Sequence, residues 1–113
     1  LVSLALRQLI DNGLKYSPAA SPIGVTAGVE GDRVVIRVRD RGPGIPERER
    51  ARVFDKFYRR DSARDLVPGS GLGLHIAREI ARAHGGELWV ESAPGSGSEF
   101  CMAIPVQEDA RKP

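Results

Sequence analysis

Two hairpin stretches in which apolar residues recur at every second position, each preceded by a helical stripe, constrain this chain more than any other feature. In the first, Ile23, Val25, Ala27 and Val29 alternate with small or polar neighbours. Gly31-Asp32 sits where a hairpin turn belongs, and Val34, Ile36 and Val38 alternate with Arg33, Arg37 and Arg39. In the second, segments 88–92 and 99–104 flank Pro94-Gly95-Ser96-Gly97, with Phe100, Met102 and Ile104 in phase. The first hairpin follows a broad helical stripe of Leu1, Val2, Leu4, Leu6, Leu9, Ile10 and Leu14, beside which Gln8, Asn12 and Lys15 stack on one polar edge. Tyr16-Ser17-Pro18 ends that helix, because the residue before a proline is pushed out of helical space. The second hairpin follows a helix with Leu72, Ile76, Ala77, Ile80 and Ala83 toward the core and His75, Arg78, Glu79 and Arg82 outward. Ser70 stands where it can cap that helix, and Gly85-Gly86 stops it. Between the two halves, Pro46 opens a short helix whose Arg/Glu pattern over 47–52 reads as a solvated face, and the charged, aperiodic stretch 59–68 reads as a mobile loop. The order helix, two strands, short helix, loop, helix, two strands defines an α+β layer and not βαβ alternation.

A chain of 113 residues with 41% hydrophobic composition supports one small domain, read as 1–106 with a frayed tail over 107–113. The net charge of +2 is too slight to argue for nucleic acid, and neither aromatic interleaving nor a recognition motif accompanies it. The lone Cys101 excludes an internal disulfide and any multi-cysteine zinc site, and reads as a small apolar strand residue. No apolar run approaches the roughly 20 residues a bilayer crossing needs, and no leader is evident, so the chain reads as soluble. It opens inside a helix without a capping residue, which reads as a piece of a longer protein.

Three glycine-bearing segments carry the chemistry: Asp11-Asn12-Gly13-Leu14-Lys15-Tyr16, Asp40-Arg41-Gly42-Pro43-Gly44-Ile45 and Gly69-Ser70-Gly71-Leu72-Gly73-Leu74, the last running into a helix. Glycines let backbone N–H groups approach phosphates, and a helix start adds unpaired donors and a partial positive charge, so together they read as a nucleotide site. The glycines match neither a three-glycine dinucleotide fingerprint nor a P-loop ending in Lys-Ser or Lys-Thr. Extending the alternation of Val34, Ile36 and Val38 by one step puts Asp40 on the face the sheet buries. On position alone a turn or cap is its commoner fate; the other reading is a buried acceptor for a ligand donor, since an unpartnered desolvated carboxylate is costly.

These residues resemble the catalytic, ATP-binding domain of sensor histidine kinases, in the superfamily with gyrase, the Hsp90 chaperone and MutL. The first two segments resemble its N and G1 boxes, Phe54-Asp55-Lys56-Phe57-Tyr58-Arg59 the F box, the third segment the G2 box, and Gly95-Ser96-Gly97-Ser98-Glu99-Phe100 the last glycine motif. The resemblance implies a two-layer sandwich with a mixed sheet, helices on one face and an ATP lid (the Bergerat fold), its first strand preceding this chain. It implies ATP and Mg²⁺ as cofactors, with the Asn12 amide oxygen on the metal and Lys15 near the phosphates. Asp40 would accept from the adenine amino group, which reverses the preference for a turn; Gly42 and Gly44 would let backbone close on the base, and Tyr16 and Ile45 would line its pocket. Gly69, Gly71 and Gly73, with Ser70, Leu72 and Leu74, would meet the phosphates, Phe57 would adjoin the site, and Arg59, with Arg60 and Arg64 as alternatives, would neutralise charge on the transferred group.

Partners implied are a dimerisation and phosphoacceptor domain and a response-regulator receiver, with no nucleic acid and no direct membrane contact by this domain. The location implied is cytoplasmic, in a parent that can be membrane-anchored. Gln8, four residues before Asn12, replaces the usual asparagine, where ATP-hydrolysing relatives carry glutamate. An amide cannot take a proton from water, so it favours phosphoryl transfer over hydrolysis. Gln8 is also counted with the nucleotide-contacting residues, its metal contact left open. Gly13 replaces a more usual alanine at roughly 0.5–1 kcal/mol of helix stability. His75 and His84 lack an acceptor context, and both read as ordinary helix residues. The alternative function is a non-catalytic, nucleotide-gated interaction module.

Overall fold

The computed structural model describes residues 1–18, 21–58, 72–92 and 95–106. Along the chain come α1 (Val2–Tyr16), β1 (Gly24–Glu30), β2 (Arg33–Asp40), α2 (Glu47–Arg50), α3 (Gly73–Ala83), β3 (Glu87–Ser92) and β4 (Ser98–Pro105). The four strands form one sheet in the order β1-β2-β4-β3. All its neighbours are antiparallel, which corrects the expected mixed sheet for the described residues. The reason is topological: two hairpins alternate direction by construction, and the crossover through α3 lands on the far edge at β3, so β4 returns beside β2 running the opposite way.

Register sorts the side chains into two faces. On the inner face, cross-strand rows run Ile36, Met102, Leu88 and then Val38, Phe100, Val90. These apolar rows meet Ala5 and Leu9 of α1 and Ala77, Ile80 and Ala81 of α3 in a single buried cluster, which Ile45, Val53 and Phe54 close from the connecting segment. Phe54 stands edge-on to Phe100, with centroids 6.0 Å apart and planes at 85°, a favourable aromatic geometry.

Each helix buries a narrower stripe than its sequence suggests. In α1 the buried residues are Ala5, Leu9, Asn12 and Gly13, while Leu1, Leu4 and Leu14 are exposed. Asn12 therefore belongs to the packed face and not to a polar edge. In α3 the buried residues are Ala77, Ile80 and Ala81, whereas Ile76 and Ala83 are exposed and His75 and Arg78 are half-buried, correcting the expected phase. Alanine is small enough to sit on either side of a helix, so a short Ala-rich stripe fixes its rotation poorly. The helix begins at Gly73 with Leu72 at its N-cap and no side-chain cap bond; Ser70 lies outside the described residues. Nor is the 47–52 run wholly solvated: Glu49 is 6% exposed and accepts a hydrogen bond from the Tyr58 hydroxyl.

The outer face is charged, and its charges are paired. Arg37 donates to Glu30 at 2.9 Å and to the Cys101 sulfur at 3.3 Å and lies 3.7 Å from Glu99. Arg33 bonds Glu87. Beneath these side chains Val35, Cys101 and Ala103 are buried. Burial pushes the Cys101 thiol up to about 11, more than the neighbouring Arg37 lowers it, so at neutral pH it is a packing residue and not a nucleophile. Among the described residues no helix is long and apolar enough to cross a membrane.

Candidate nucleotide site

The inner face of the sheet changes character at one end. One step beyond the apolar row of Val38, Phe100 and Val90, the strands place Asp40, Ser98 and Ser92 side by side. Asp40 is 1% exposed and Ser98 4% exposed. The parity that buries Val38 necessarily buries Asp40, and the chain then turns away at Arg41.

Both readings of Asp40 drawn from the sequence find a counterpart, one on each carboxylate oxygen. Oδ1 accepts the Gly42 N–H at 2.8 Å, a local turn bond of the kind aspartate makes beside glycine. Oδ2 is buried with no hydrogen-bond partner among the described residues. A buried charged acceptor so left is expensive for the fold alone, and such exceptions in native proteins call for a reason.

The 42–45 loop that follows is held from two sides. Toward α1, the Arg41 N–H donates to the Ser17 hydroxyl at 3.1 Å, and a Cβ on Gly42 would lie 2.5 Å from the Tyr16 carbonyl oxygen. Only a residue without a side chain lets the loop sit against the end of the helix there. Toward the β3–β4 turn, the Gly95 N–H donates to the Pro43 carbonyl at 2.8 Å and the Ile45 N–H to the Ser92 hydroxyl at 2.8 Å. Gly97, at φ +79°, brings that turn so close that an added Cβ would lie 2.2 Å from the Asp40 carbonyl oxygen.

Ile45 is fully buried, Tyr16 is half-buried and Gly44 is buried, so the structure gathers Tyr16, Asp40, Gly42, Gly44 and Ile45 where the end of α1 meets the sheet. One helical turn earlier, Asn12 is 9% exposed, and its Nδ2 is buried without a partner among the described residues. Gly13 faces Asp40 directly, its Cβ position 3.6 Å from the Asp40 Cβ. Gln8 meets the start of α3, where a Cβ on Gly73 would lie 2.7 Å from the Gln8 Oε1; Leu72 is half-buried there and Leu74 packs against the core.

Two other expected residues face solvent. Lys15 is exposed, and Phe57 is 63% exposed at φ +66°. Arg59, Arg60, Arg64, Gly69, Ser70 and Gly71 lie outside the described residues, as do the 59–68 loop and the 107–113 tail. His84 accounts for itself structurally, its Nδ1 lying 2.9 Å from the Ile80 carbonyl. His75 is half-buried, its Nδ1 without a hydrogen-bond partner among the described residues, and not on the solvated face expected of it. Sequence reasoning passed over Ser17, Ser92 and Ser98, since a serine near a strand or helix end carries no distinguishing signal.

Among the described residues no three His, Cys, Asp or Glu side chains stand together as a metal cage. Asn12, with an amide that makes no hydrogen bond to them, supplies a single neutral oxygen. That donor set fits a hard cation held chiefly by phosphate oxygens and water, as magnesium prefers.

A buried acid at a strand end, glycine-closed loops and a buried asparagine on the adjoining helix come together at one end of an α+β domain. Residues 1–108 match the model of the histidine kinase-, DNA gyrase B- and HSP90-like ATPases, and the chain belongs to that family. It is 45% identical over 104 residues to the signal transduction histidine-protein kinase AfsQ2 of Streptomyces coelicolor, a match covering 92% of this chain and 19% of that protein. Among solved structures it resembles the mycobacterial sensor histidine kinase MprB, at a TM-score of 0.82 and 36% identity over 90% of this chain and 70% of that one. It also resembles full-length ShkA in complex with AMPPNP, at a TM-score of 0.77 and 33% identity over 90% of this chain and 20% of that one. The chain thus spans 18% to 29% of the length of these and other curated relatives it matches.

Proposed function

We propose that this domain binds Mg-ATP and donates its γ-phosphoryl group to a histidine on a separate dimerisation and phosphoacceptor domain, from which the group passes to a response-regulator receiver. The observation that carries this reading is the unpartnered Oδ2 of Asp40, buried at the end of β2 beside the 42–45 loop. In this reading that oxygen accepts from the adenine amino group while Gly42 and Gly44 bring backbone to the base and Tyr16 and Ile45 wall its pocket. Asn12 offers its amide oxygen to the metal, which when bound neutralises phosphate charge. Lys15, Gly73 and the start of α3 serve the phosphates, with Gln8 beside them, and Gly69, Ser70, Gly71, Leu72 and Leu74 complete that wall. Phe57 adjoins the site, and Arg59 steadies the transferred group.

Such chemistry asks the protein mainly for position and electrostatics. The bond between the γ-phosphorus and the β,γ-bridging oxygen breaks, a bond to the acceptor imidazole nitrogen forms, and ADP leaves. Gln8 beside the start of α3 supports transfer over hydrolysis, since an amide cannot serve as a base for water. The AMPPNP bound by the similar ShkA is consistent with an adenine nucleotide here.

Titration of the folded chain with Mg-ATP, followed by mixing with the parent's acceptor domain and labelled ATP, tests the reading. Saturable binding and acid-labile phosphohistidine on the acceptor are expected. A folded chain that ignores millimolar ATP overturns the site, binding without transfer overturns the kinase assignment, and phosphorylation of His75 or His84 in the isolated chain overturns the need for a separate acceptor.

A further inference from the structure

The hydroxyl of Ser92, the last residue of β3, is a three-way junction. It lies 2.8 Å from the Ile45 backbone nitrogen, 2.9 Å from the Gly97 carbonyl oxygen and 3.1 Å from the Ser98 hydroxyl. A serine hydroxyl holds one proton and two lone pairs. Gly97 offers only an acceptor, so the proton goes there; the Ile45 N–H takes one lone pair, and the Ser98 hydroxyl donates to the other. Every valence of this oxygen is used within the protein.

The three partners belong to the three walls around Asp40. Ile45 closes the loop that follows it, Gly97 is the turn residue pressed on its carbonyl, and Ser98 faces it across the ladder. We propose that Ser92 is a positioning residue of the base pocket, its hydroxyl fixing Ile45 and the turn at residues 95–97 in the arrangement that makes the pocket fit adenine. This rests on the nucleotide-binding reading above.

The inference follows from what each tie holds. Gly42 is tied to the Asp40 side chain and Pro43 to Gly95, so the front of the loop keeps its anchors without Ser92. The Ile45 amide has only this oxygen among the described residues, and Ile45 is fully buried. Deprived of it, the amide becomes a buried donor without an acceptor, which the loop relieves by shifting Ile45 toward water. Ser92 itself lies outside the hydrophobic cluster, so deleting its oxygen removes polar tethering and little packing.

The test compares the wild-type chain with Ser92→Ala and Ser92→Thr, reading Mg-ATP and Mg-ADP affinity, thermal midpoint and hydrogen exchange at the Ile45 amide. Ser92→Ala is expected to weaken ATP and ADP by the same factor, about tenfold or ~1.4 kcal/mol, with Ile45 exchange accelerated and the chain still folded. Ser92→Thr, which keeps the hydroxyl, restores both affinity and protection. Wild-type affinity in Ser92→Ala overturns the inference, as does a loss confined to ATP, a folded Ser92→Thr as weak as Ser92→Ala, or a Ser92→Ala that does not fold. A wild-type chain that binds neither nucleotide defeats the parent reading instead.

Discussion

The two faces of the sheet treat polar groups in opposite ways. On the outer face Arg33, Arg37 and Arg39 meet Glu30, Glu87 and Glu99 in pairs that the strand register lines up. The hydrogen bond it donates to Glu30 holds the Arg37 guanidinium even more firmly charged than usual. On the inner face polar side chains are few, and Asp40, like Asn12 on the helix α1 that packs over that face, has an atom left without a partner among the described residues. The same ladder produces both, since a strand alternates faces at every residue. A polar residue whose valences the fold fills is structural and replaceable; one that the fold buries and leaves unfilled costs stability, and is kept for something outside the fold.

The contrast can be broken at several points. Gly97→Ala carries the largest effect on stability, because it combines a left-handed backbone with a Cβ 2.2 Å from the Asp40 carbonyl oxygen. About 3 kcal/mol of unfolding free energy should be lost in chemical denaturation, with nucleotide binding lost alongside. Wild-type stability there would mean that the turn does not press on Asp40 at all.

Asn12→Ala sharpens the contrast from the helix side. It removes a buried amide that does nothing visible for the fold, so stability should hold within ~1 kcal/mol while affinity for Mg-ATP falls about tenfold. Affinity measured without magnesium should barely change. Equal losses with and without the metal would remove Asn12 from the metal's neighbourhood.

Gly13→Ala is the smallest change and is expected to help. Its Cβ would meet the Ile23 Cδ1 at 3.3 Å and the Asp40 Cβ at 3.6 Å, contacts that the end of a flexible side chain can absorb. Stability should rise by roughly 0.5–1 kcal/mol in thermal unfolding, and a decrease would show that the α1–Asp40 contact is tighter than these distances imply.

Much of this architecture was legible in the chain. Period-two alternation marks both hairpins, and the parity of Val34, Ile36 and Val38 carries Asp40 to the inner face on sequence alone. Asn12 was harder, since its spacing from Gln8 and Lys15 read as a polar edge, whereas the folded helix buries it with Ala5, Leu9 and Gly13. Glu49 was hidden in a run of alternating charge, because its partner Tyr58 lies nine residues away and no periodicity links the two. Ser92 was invisible for a similar reason: its importance comes from three segments that converge only in the folded chain. The buried outer-face trio of Val35, Cys101 and Ala103 depends on the aliphatic stems of the arginines above it, which sequence polarity conceals.

Asp40→Asn, measured for Mg-ATP affinity and unfolding free energy beside Arg37→Ala, tests the central claim most directly. Asparagine can keep the Gly42 bond through its oxygen but turns a donor toward the adenine amino group. Binding should therefore weaken at least about 100-fold, ~2.7 kcal/mol, while stability stays level or rises. Arg37→Ala should cost little stability, as solvent-screened ion pairs do, and leave binding untouched. If Asp40→Asn instead bound nucleotide as well as the wild type and lost stability, Asp40 would be a turn cap and nothing more.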